Sequence, residues 1–191
     1  MSSPDRRLWL VRHGETEWSL SGKHTSTTDL PLTAHGREQA QALVPTLAEG
    51  RFAKVLTSPR QRARVTCDIA GLGAVATIDD DLVEWDYGSY EGRTSQEIHV
   101  ERPDWSLWTD GCPGGESPAQ IAARLDRLLA RVATIEGDVA IFAHGHVLRV
   151  LALRYLGWPM PMGAQLGLDT ATLCKLGGTP GRPALVTWNT R

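Results

Sequence analysis

Two short apolar runs, Leu8-Trp9-Leu10-Val11 and Val139-Ala140-Ile141-Phe142-Ala143, constrain the fold of this chain more than any other feature. Each has the length of a buried strand and stops abruptly at polar residues. The first runs into Arg12-His13-Gly14-Glu15-Thr16 and the second into His144-Gly145-His146. A strand that is apolar throughout reads as a central member of a parallel sheet. Ligands of open α/β sheets collect just beyond the carboxyl ends of such strands. A cation and imidazoles at that edge therefore point to a site, and Gly14 lets the backbone turn sharply or approach a ligand. The alternative for any one of them alone is a strand end that is merely polar.

Between the two runs the pattern alternates, which indicates an α/β chain. Residues 18–29 are polar and rich in Ser and Thr, read as a loop, and make Ser19, Thr25 and Ser26 candidates to line a pocket beside Arg12 and His13. A helix is predicted from Leu32-Thr33 to Leu47, capped by Thr33. A strand over Ala53–Leu56 leads to Ser58-Pro59, read as cap and first-turn residue of a helix reaching about Ala70. Arg60, Arg62 and Arg64 stand in its first turns, where the helix dipole opposes cations. Either they are solvated, or an anion shared with the helix N-terminus removes the conflict for at least one of them.

A short strand at Val75–Ile78 precedes Leu82 to Gly92, which gathers three aromatic residues and the carboxylates Glu84, Asp86 and Glu91. Aromatic surroundings raise a carboxyl toward the range a catalytic acid needs; a packed loop with its acids turned outward is the other reading. Trp105 and Trp108 follow in an irregular insert, and with Trp85 and Tyr87 they form either an apolar wall or lid, or core. The clearest amphipathic helix opens at Ser117 or Pro118, with Ile121, Leu125, Leu128, Leu129 and Val132 on one face. After His144 a helix runs to about Tyr155, and strands near Ala171–Leu176 and Ala184–Trp188 close the chain around a Gly177-Gly178-Thr179-Pro180-Gly181 turn.

At 191 residues with no repeat or linker, the chain is expected to form one domain, residues 1–191. A net charge of -2 gives no basic footprint for nucleic acid, so any anion site is a local positive pocket. Cys67, Cys112 and Cys174 are widely spaced and read as reduced thiols. The apolar run after Met1–Arg7 is too short for a signal peptide, and no segment is long enough to span a membrane. A soluble cytoplasmic protein without nucleic-acid or membrane partners is expected; oligomeric state is not readable.

Several spaced motifs then fall in order: Arg12-His13-Gly14-Glu15-Thr16, Asp29-x-Pro31-Leu32-Thr33-x-x-Gly36-x-x-Gln39-Ala40, Ser58-Pro59-x-x-Arg62-Ala63-x-x-Thr66, Glu84-x-x-x-Gly88-x-x-Glu91-Gly92, Gly115-Glu116-Ser117 and Ala143-His144-Gly145. In this combination the chain resembles the histidine phosphatase superfamily, the phosphoglycerate-mutase-like enzymes. The resemblance implies a three-layer α/β/α sandwich with a mostly parallel central sheet. It implies His13 as a nucleophile forming a phosphohistidine, Arg12, Arg62 and His144 as ligands of the phosphoryl oxygens, and Glu84 as the acid that protonates the leaving alcohol. It implies no cofactor and no metal. His144-x-His146 shares one strand face, as a metal pair would, but has no carboxylate spacing beside it; His146, with Gly145, is read as a substrate contact or a structural group.

The physical chemistry agrees with those roles. Phosphoryl transfer needs positioning and charge neutralisation, arginine forks match phosphate oxygens, and nearby cations keep His13 neutral and nucleophilic. A protonated second histidine would stabilise the transferring group. Arginines lower the pKa of Glu84 while burial and a bound phosphate dianion raise it; with the phosphate dominating, activity is expected to favour mildly acidic pH.

Two departures narrow the branch. Ser19 stands where many members carry an asparagine, and Trp85 stands where phosphoglycerate mutases follow the glutamate with an arginine. The wording around Glu84-Trp85-x-Tyr87-Gly88-x-Tyr90-Glu91-Gly92 and Trp105-x-x-Trp108-x-x-Gly111-Cys112 is similar to sedoheptulose-bisphosphatase and broad-specificity acid phosphatase relatives. The expectation is a phosphomonoesterase acting on a small phosphate ester, a sugar phosphate or bisphosphate. A phosphoglycerate mutase and a non-catalytic phosphate-binding protein are the alternatives.

Overall fold

A computed structural model describes residues 6–179 and 181–191. The first five residues of the Met1–Arg7 segment and Pro180 of the glycine-rich turn lie outside the described residues. Six strands form one sheet in the order β3-β2-β4-β1-β5-β6. They are β1 (Leu8–Arg12), β2 (Phe52–Thr57), β3 (Ala76–Ile78), β4 (Asp138–Ala143), β5 (Leu173–Thr179) and β6 (Arg182–Thr190). The first four pair in parallel, with Leu8 opposite Val139 and Arg12 opposite Ala143. β5 and β6 add an antiparallel edge, Leu8 facing Leu176 across β1.

Eight α-helices accompany the strands among the described residues: α1 (Glu17–Leu20), α2 (Ala34–Ala42), α3 (Val44–Ala48), α4 (Gln61–Ile69), α5 (Ser95–Glu101), α6 (Leu107–Asp110), α7 (Pro118–Ala133) and α8 (Gly145–Leu156). Strand alternation divides the core. Leu8, Leu10, Val139 and Ile141 face α7 and α8, while Trp9, Val11, Ala140 and Phe142 face α3 and α4 with Leu43, Leu47 and Cys67. The result is the expected helix–sheet–helix layering. Ile121, Leu125, Leu128 and Val132 are all buried on α7, and each such burial contributes about 1.5–3 kcal/mol. Cys67, Cys112 and Cys174 are free and buried.

Local chemistry accounts for the differences from the sequence reading. The loop over residues 18–29 begins inside α1, because Thr16 and Ser19 form a reciprocal capping box. The single helix expected up to Leu47 is two: Pro45 lies in the first turn of α3 and has no N–H to continue α2. The helix expected to open at Ser58-Pro59 begins at Gln61 with Arg60 extended at its N-cap. The Ser58 hydroxyl accepts from the Arg60 N–H instead of capping the helix, and the Asp29 side chain accepts from Gln61 N–H at 2.9 Å. Trp85, Tyr87, Trp105 and Trp108 are at most 7% exposed, so the three tryptophans are core, and Tyr87 packs in the same core while lining a cleft.

Connections out of β1 lead toward β2, whereas α8 leads out of β4 toward the β5 side. Adjacent strands whose connections diverge leave a crevice at their carboxyl ends. His13 and His144 stand there. Gly14 makes the turn possible: a Cβ at Gly14 would lie 2.2 Å from the Gly36 carbonyl oxygen.

Candidate active site

A cleft of about 210 Å3 opens at the β1–β4 crevice. Its floor includes Arg12, His13 and Gly145; its sides include Thr16, Ser19, Lys23, His24, Thr25, Glu84, Tyr87, His146, Arg149 and Leu168. His13 is 5% exposed, and its Nδ1 lies 2.7 Å from the Gly14 carbonyl oxygen. A carbonyl only accepts, so Nδ1 carries the proton and Nε2 carries the lone pair. Burial, then the charges of Arg62 and Arg12, hold His13 well below the ordinary imidazole range. The ring is therefore neutral at physiological pH, with a free lone pair on Nε2. Backbone bonds fix it from both sides, His13 N–H to the Ala143 carbonyl and Ala171 N–H to the His13 carbonyl, each at 3.0 Å.

Arg12 donates through Nη1 to the Leu168 carbonyl, while its buried Nε has no partner among the described residues. A guanidinium lining the same cleft as the His13 ring suits an anionic ligand. Arg62 is fully buried. It donates from Nη1 to the Thr28 carbonyl at 3.0 Å, from Nη2 to the Thr25 carbonyl at 3.1 Å, and from Nε to His144 Nδ1 at 3.0 Å. It thus stands behind the cleft and ties the loop after α1 to the sheet.

His144 is 1% exposed, with its ring centroid 5.1 Å from that of His13. Accepting from Arg62 at Nδ1 leaves the proton on Nε2, which donates to the Ser58 hydroxyl at 2.7 Å. Burial and Arg62 push its pKa well below the usual value. The second histidine is neutral in this arrangement, because the arginine occupies the nitrogen that would take the extra proton, so the stabilisation a protonated ring would give is not offered here.

Glu84 is 4% exposed. Its Oε1 accepts from Trp85 N–H at 2.8 Å and Val147 N–H at 2.7 Å, and its Oε2 accepts from His146 N–H at 3.0 Å. Val147 and His146 belong to the first turn of α8, so the helix N-terminus orients this carboxylate. The competing carboxylates are engaged elsewhere. Glu91 accepts from the N–H groups of Ser26 and Thr28, each at 2.9 Å, and Asp86 accepts from Gly88 N–H at 2.9 Å.

The candidate substrate contacts divide. Ser19 lines the cleft, but its hydroxyl donates to the Thr16 carbonyl and accepts from Thr16 N–H. Thr25 lines the cleft and donates to the Lys23 carbonyl. Ser26 is buried and donates to the Glu84 carbonyl at 3.3 Å. Gly145 packs against the Arg12 guanidinium, 3.4 Å from the position of a Cβ. His146 Nδ1 meets the Tyr87 hydroxyl at 2.7 Å, and burial with Arg149 keeps its ring neutral.

Arg149, Lys23 and His24 were not singled out by the motifs. Arg149 lies over the Trp108 ring at 4.6 Å and donates from Nε to the Gly163 carbonyl at 2.9 Å. Burial lowers it to about 10, which leaves it a cation at neutral pH. An arginine set between the apolar Leu148 and Val150 was the available signal. His24, packed on Tyr87 with centroids 4.6 Å apart, is lowered to about 4 by burial. Among the described residues no group of three or more His, Cys, Asp or Glu side chains converges as a metal site would require.

Residues 8–191 match the family model of the histidine phosphatase superfamily, branch 1. The chain is similar to an acid phosphatase of Mycobacterium tuberculosis, with 41% identity covering 91% of this chain and 87% of that one. It is similar to sedoheptulose 1,7-bisphosphatase of Saccharomyces cerevisiae, with 40% identity covering 89% and 73%. The solved structure of the open reading frame Rv3214 from Mycobacterium tuberculosis superposes with a TM-score of 0.91 at 38% identity, covering 97% of both chains.

Proposed function

The chain belongs to the histidine phosphatase superfamily, and within it we propose that this phosphomonoesterase hydrolyses a small sugar phosphate or bisphosphate through a phosphohistidine on His13. The observation that carries the reading is the His13 ring itself: neutral, lining the cleft together with Arg12, with Nδ1–H committed to Gly14 and Nε2 left as the lone pair. His13 Nε2 attacks phosphorus as the ester P–O bond breaks, and Glu84 delivers its proton to the departing alkoxide oxygen. The Glu84 carboxylate then takes a proton from water, whose oxygen attacks phosphorus. The P–N bond breaks, phosphate leaves, and both His13 and Glu84 return to their starting forms. Arg12 and Arg62 neutralise the charge on the equatorial oxygens, and His144 fixes Arg62 through its Nδ1.

Glu84 Oε2 accepts one backbone N–H, against two at Oε1. Oε2 is thus the oxygen with room for the transferable proton. Beyond the phosphoryl end, Arg149 and Lys23 place two further cations on the same cleft. That pair favours a substrate with a second anionic group, which supports a bisphosphate over an uncharged alcohol. The Saccharomyces cerevisiae relative is named for such a substrate. We infer further that residues 1–191 act as one domain, with the reaction requiring no metal.

The test is phosphate release without metal from an aryl phosphate, 3-phosphoglycerate, fructose 1,6-bisphosphate and sedoheptulose 1,7-bisphosphate, with His13→Ala as control. Release is expected to fall by about 10⁶-fold in the variant, the scale of deleting a nucleophile, with a sugar bisphosphate ahead. Equal release from His13→Ala would overturn the mechanism, and a rearranged ester without free phosphate would establish a mutase.

A further inference from the structure

Glu84 sits in a stretch without strand or α-helix, between the 3-10 turns Asp80–Leu82 and Gly88–Tyr90. A catalytic carboxylate needs its oxygen placed to within a fraction of an ångström, and such a stretch does not supply that by itself. We propose that the ion pair of Arg124 and Glu116, outside the cleft, is the positioning device for Glu84. This rests on the reading of Glu84 as the general acid.

Arg124, 8% exposed on α7, clasps the Glu116 carboxylate with two bonds, Nε to Oε1 at 2.9 Å and Nη2 to Oε2 at 2.6 Å. Its Nη1 donates to the carbonyls of Asp81 at 2.7 Å and Val83 at 2.9 Å, just before Glu84. Glu116 completes the grip on the other side. Its Oε2 accepts from Asp86 N–H at 3.0 Å, its backbone carbonyl accepts from the Trp85 indole N–H at 2.9 Å, and its N–H donates to the Asp86 carbonyl at 2.9 Å. Residues 81, 83, 85 and 86 are all held by this one pair. Glu84 alone is left to turn its carboxylate the other way, onto α8. Neither Arg124 nor Glu116 lines the cleft, so their influence on the reaction passes through Glu84.

The guanidinium is essential to the device. Its planar fork serves one carboxylate and two carbonyls at once, which an ammonium cannot do in the same geometry. A displaced Glu84 would affect esters according to how much their leaving oxygen needs a proton. A strap that served stability alone would affect all esters alike.

The experiment compares kcat/KM for phenyl phosphate and 4-nitrophenyl phosphate, two esters of similar shape whose leaving groups differ in acidity. This ratio reports the transfer step and, taken on a single preparation, is independent of the fraction of folded enzyme. Glu84→Gln serves as reference and should lower the phenyl-to-nitrophenyl ratio by about 10²-fold. Glu116→Gln and Arg124→Lys should lower it in the same direction by about tenfold. Combining Glu116→Gln with Glu84→Gln should lower it no further. An unchanged ratio in Glu116→Gln and Arg124→Lys, with the Glu84→Gln effect present, overturns the positioning role. No change in Glu84→Gln itself removes the general-acid reading, and the proposal with it.

Discussion

The cleft has two halves built on different principles. Its floor, with Arg12, His13 and Gly145, stands at the ends of two adjacent parallel strands whose register is fixed by the ladder between Leu8–Arg12 and Val139–Ala143. Its side, with Glu84, Tyr87 and His24, belongs to irregular segments held by charged side chains that bond to backbone: Arg62 to the carbonyls of Thr25 and Thr28, Glu91 to Ser26 and Thr28 N–H, Arg124 to Asp81 and Val83. The sheet supplies position where the charge is to be neutralised. Side-chain straps supply it where the leaving group varies. On the proposed mechanism the floor serves any phosphate ester, and the side discriminates among alcohols.

This contrast can be broken by substitution. The largest effect is expected from Arg62→Ala, which removes the buried cation behind the cleft and releases two loop carbonyls. The ratio kcat/KM should fall by about 10²–10³-fold, by a similar factor for aryl and sugar esters. A strongly ester-dependent loss would place Arg62 with the side. Gly14→Ala tests the floor's packing. The new methyl meets the Gly36 carbonyl at 2.2 Å with backbone on both sides, and a destabilisation of about 3 kcal/mol is expected in denaturant titration. Unchanged stability would mean that the turn after β1 is adaptable.

His24 sharpens the other half. Its folded pKa of about 4 lies below the unfolded value of 6.5, so between those values the unfolded chain binds the extra proton. The stability from its neutral burial is present above pH 6.5 and is lost as pH falls toward 4, by at most about 3 kcal/mol. His24→Gln should flatten the stability–pH curve across that window, measured as the difference in slope from the parent. Identical slopes would show that His24 is solvated in the folded protein. His13, His144 and His146 add the same sign, so the ligand-free protein is expected to lose stability as the pH becomes acidic. The smallest effect is expected from Arg149→Ala: about a tenfold rise in KM for a sugar bisphosphate, with 4-nitrophenyl phosphate unaffected. A rise for both would assign Arg149 to the phosphoryl end.

What the sequence disclosed follows the same division. The apolar runs ending in Arg12-His13-Gly14 and His144-Gly145 made the floor legible, since strand burial and strand ends are local signals. Glu84 was legible as one of three nearby carboxylates, and the resemblance singled it out. The structure then separates them by place: all three accept from backbone N–H groups, and of the three only Glu84 lines the cleft. Local signals could not reveal that Arg62 engages His144 through its Nε, leaving that ring neutral, because the contact joins residues far apart in the chain. Ser58 and Pro59 misled for a related reason. Their cap-like spelling is overridden by Asp29, which takes the Gln61 N–H from across the loop.

The place of β1 in the sheet also bears on how the chain comes to fold. Both neighbours of β1, β4 and β5, lie in the last third of the sequence. During synthesis Leu8-Trp9-Leu10-Val11 emerges first, yet no strand that pairs with it exists until the chain has passed Ala143. An apolar strand waiting that long is a point of exposure to aggregation, and the closure of so distant a pair is a slow step. His13 is thus translated well before the strand that positions it. Nascent chains arrested before β4 should carry His13 without any phosphatase activity, and should depend on holdase chaperones to keep β1 from pairing with another chain.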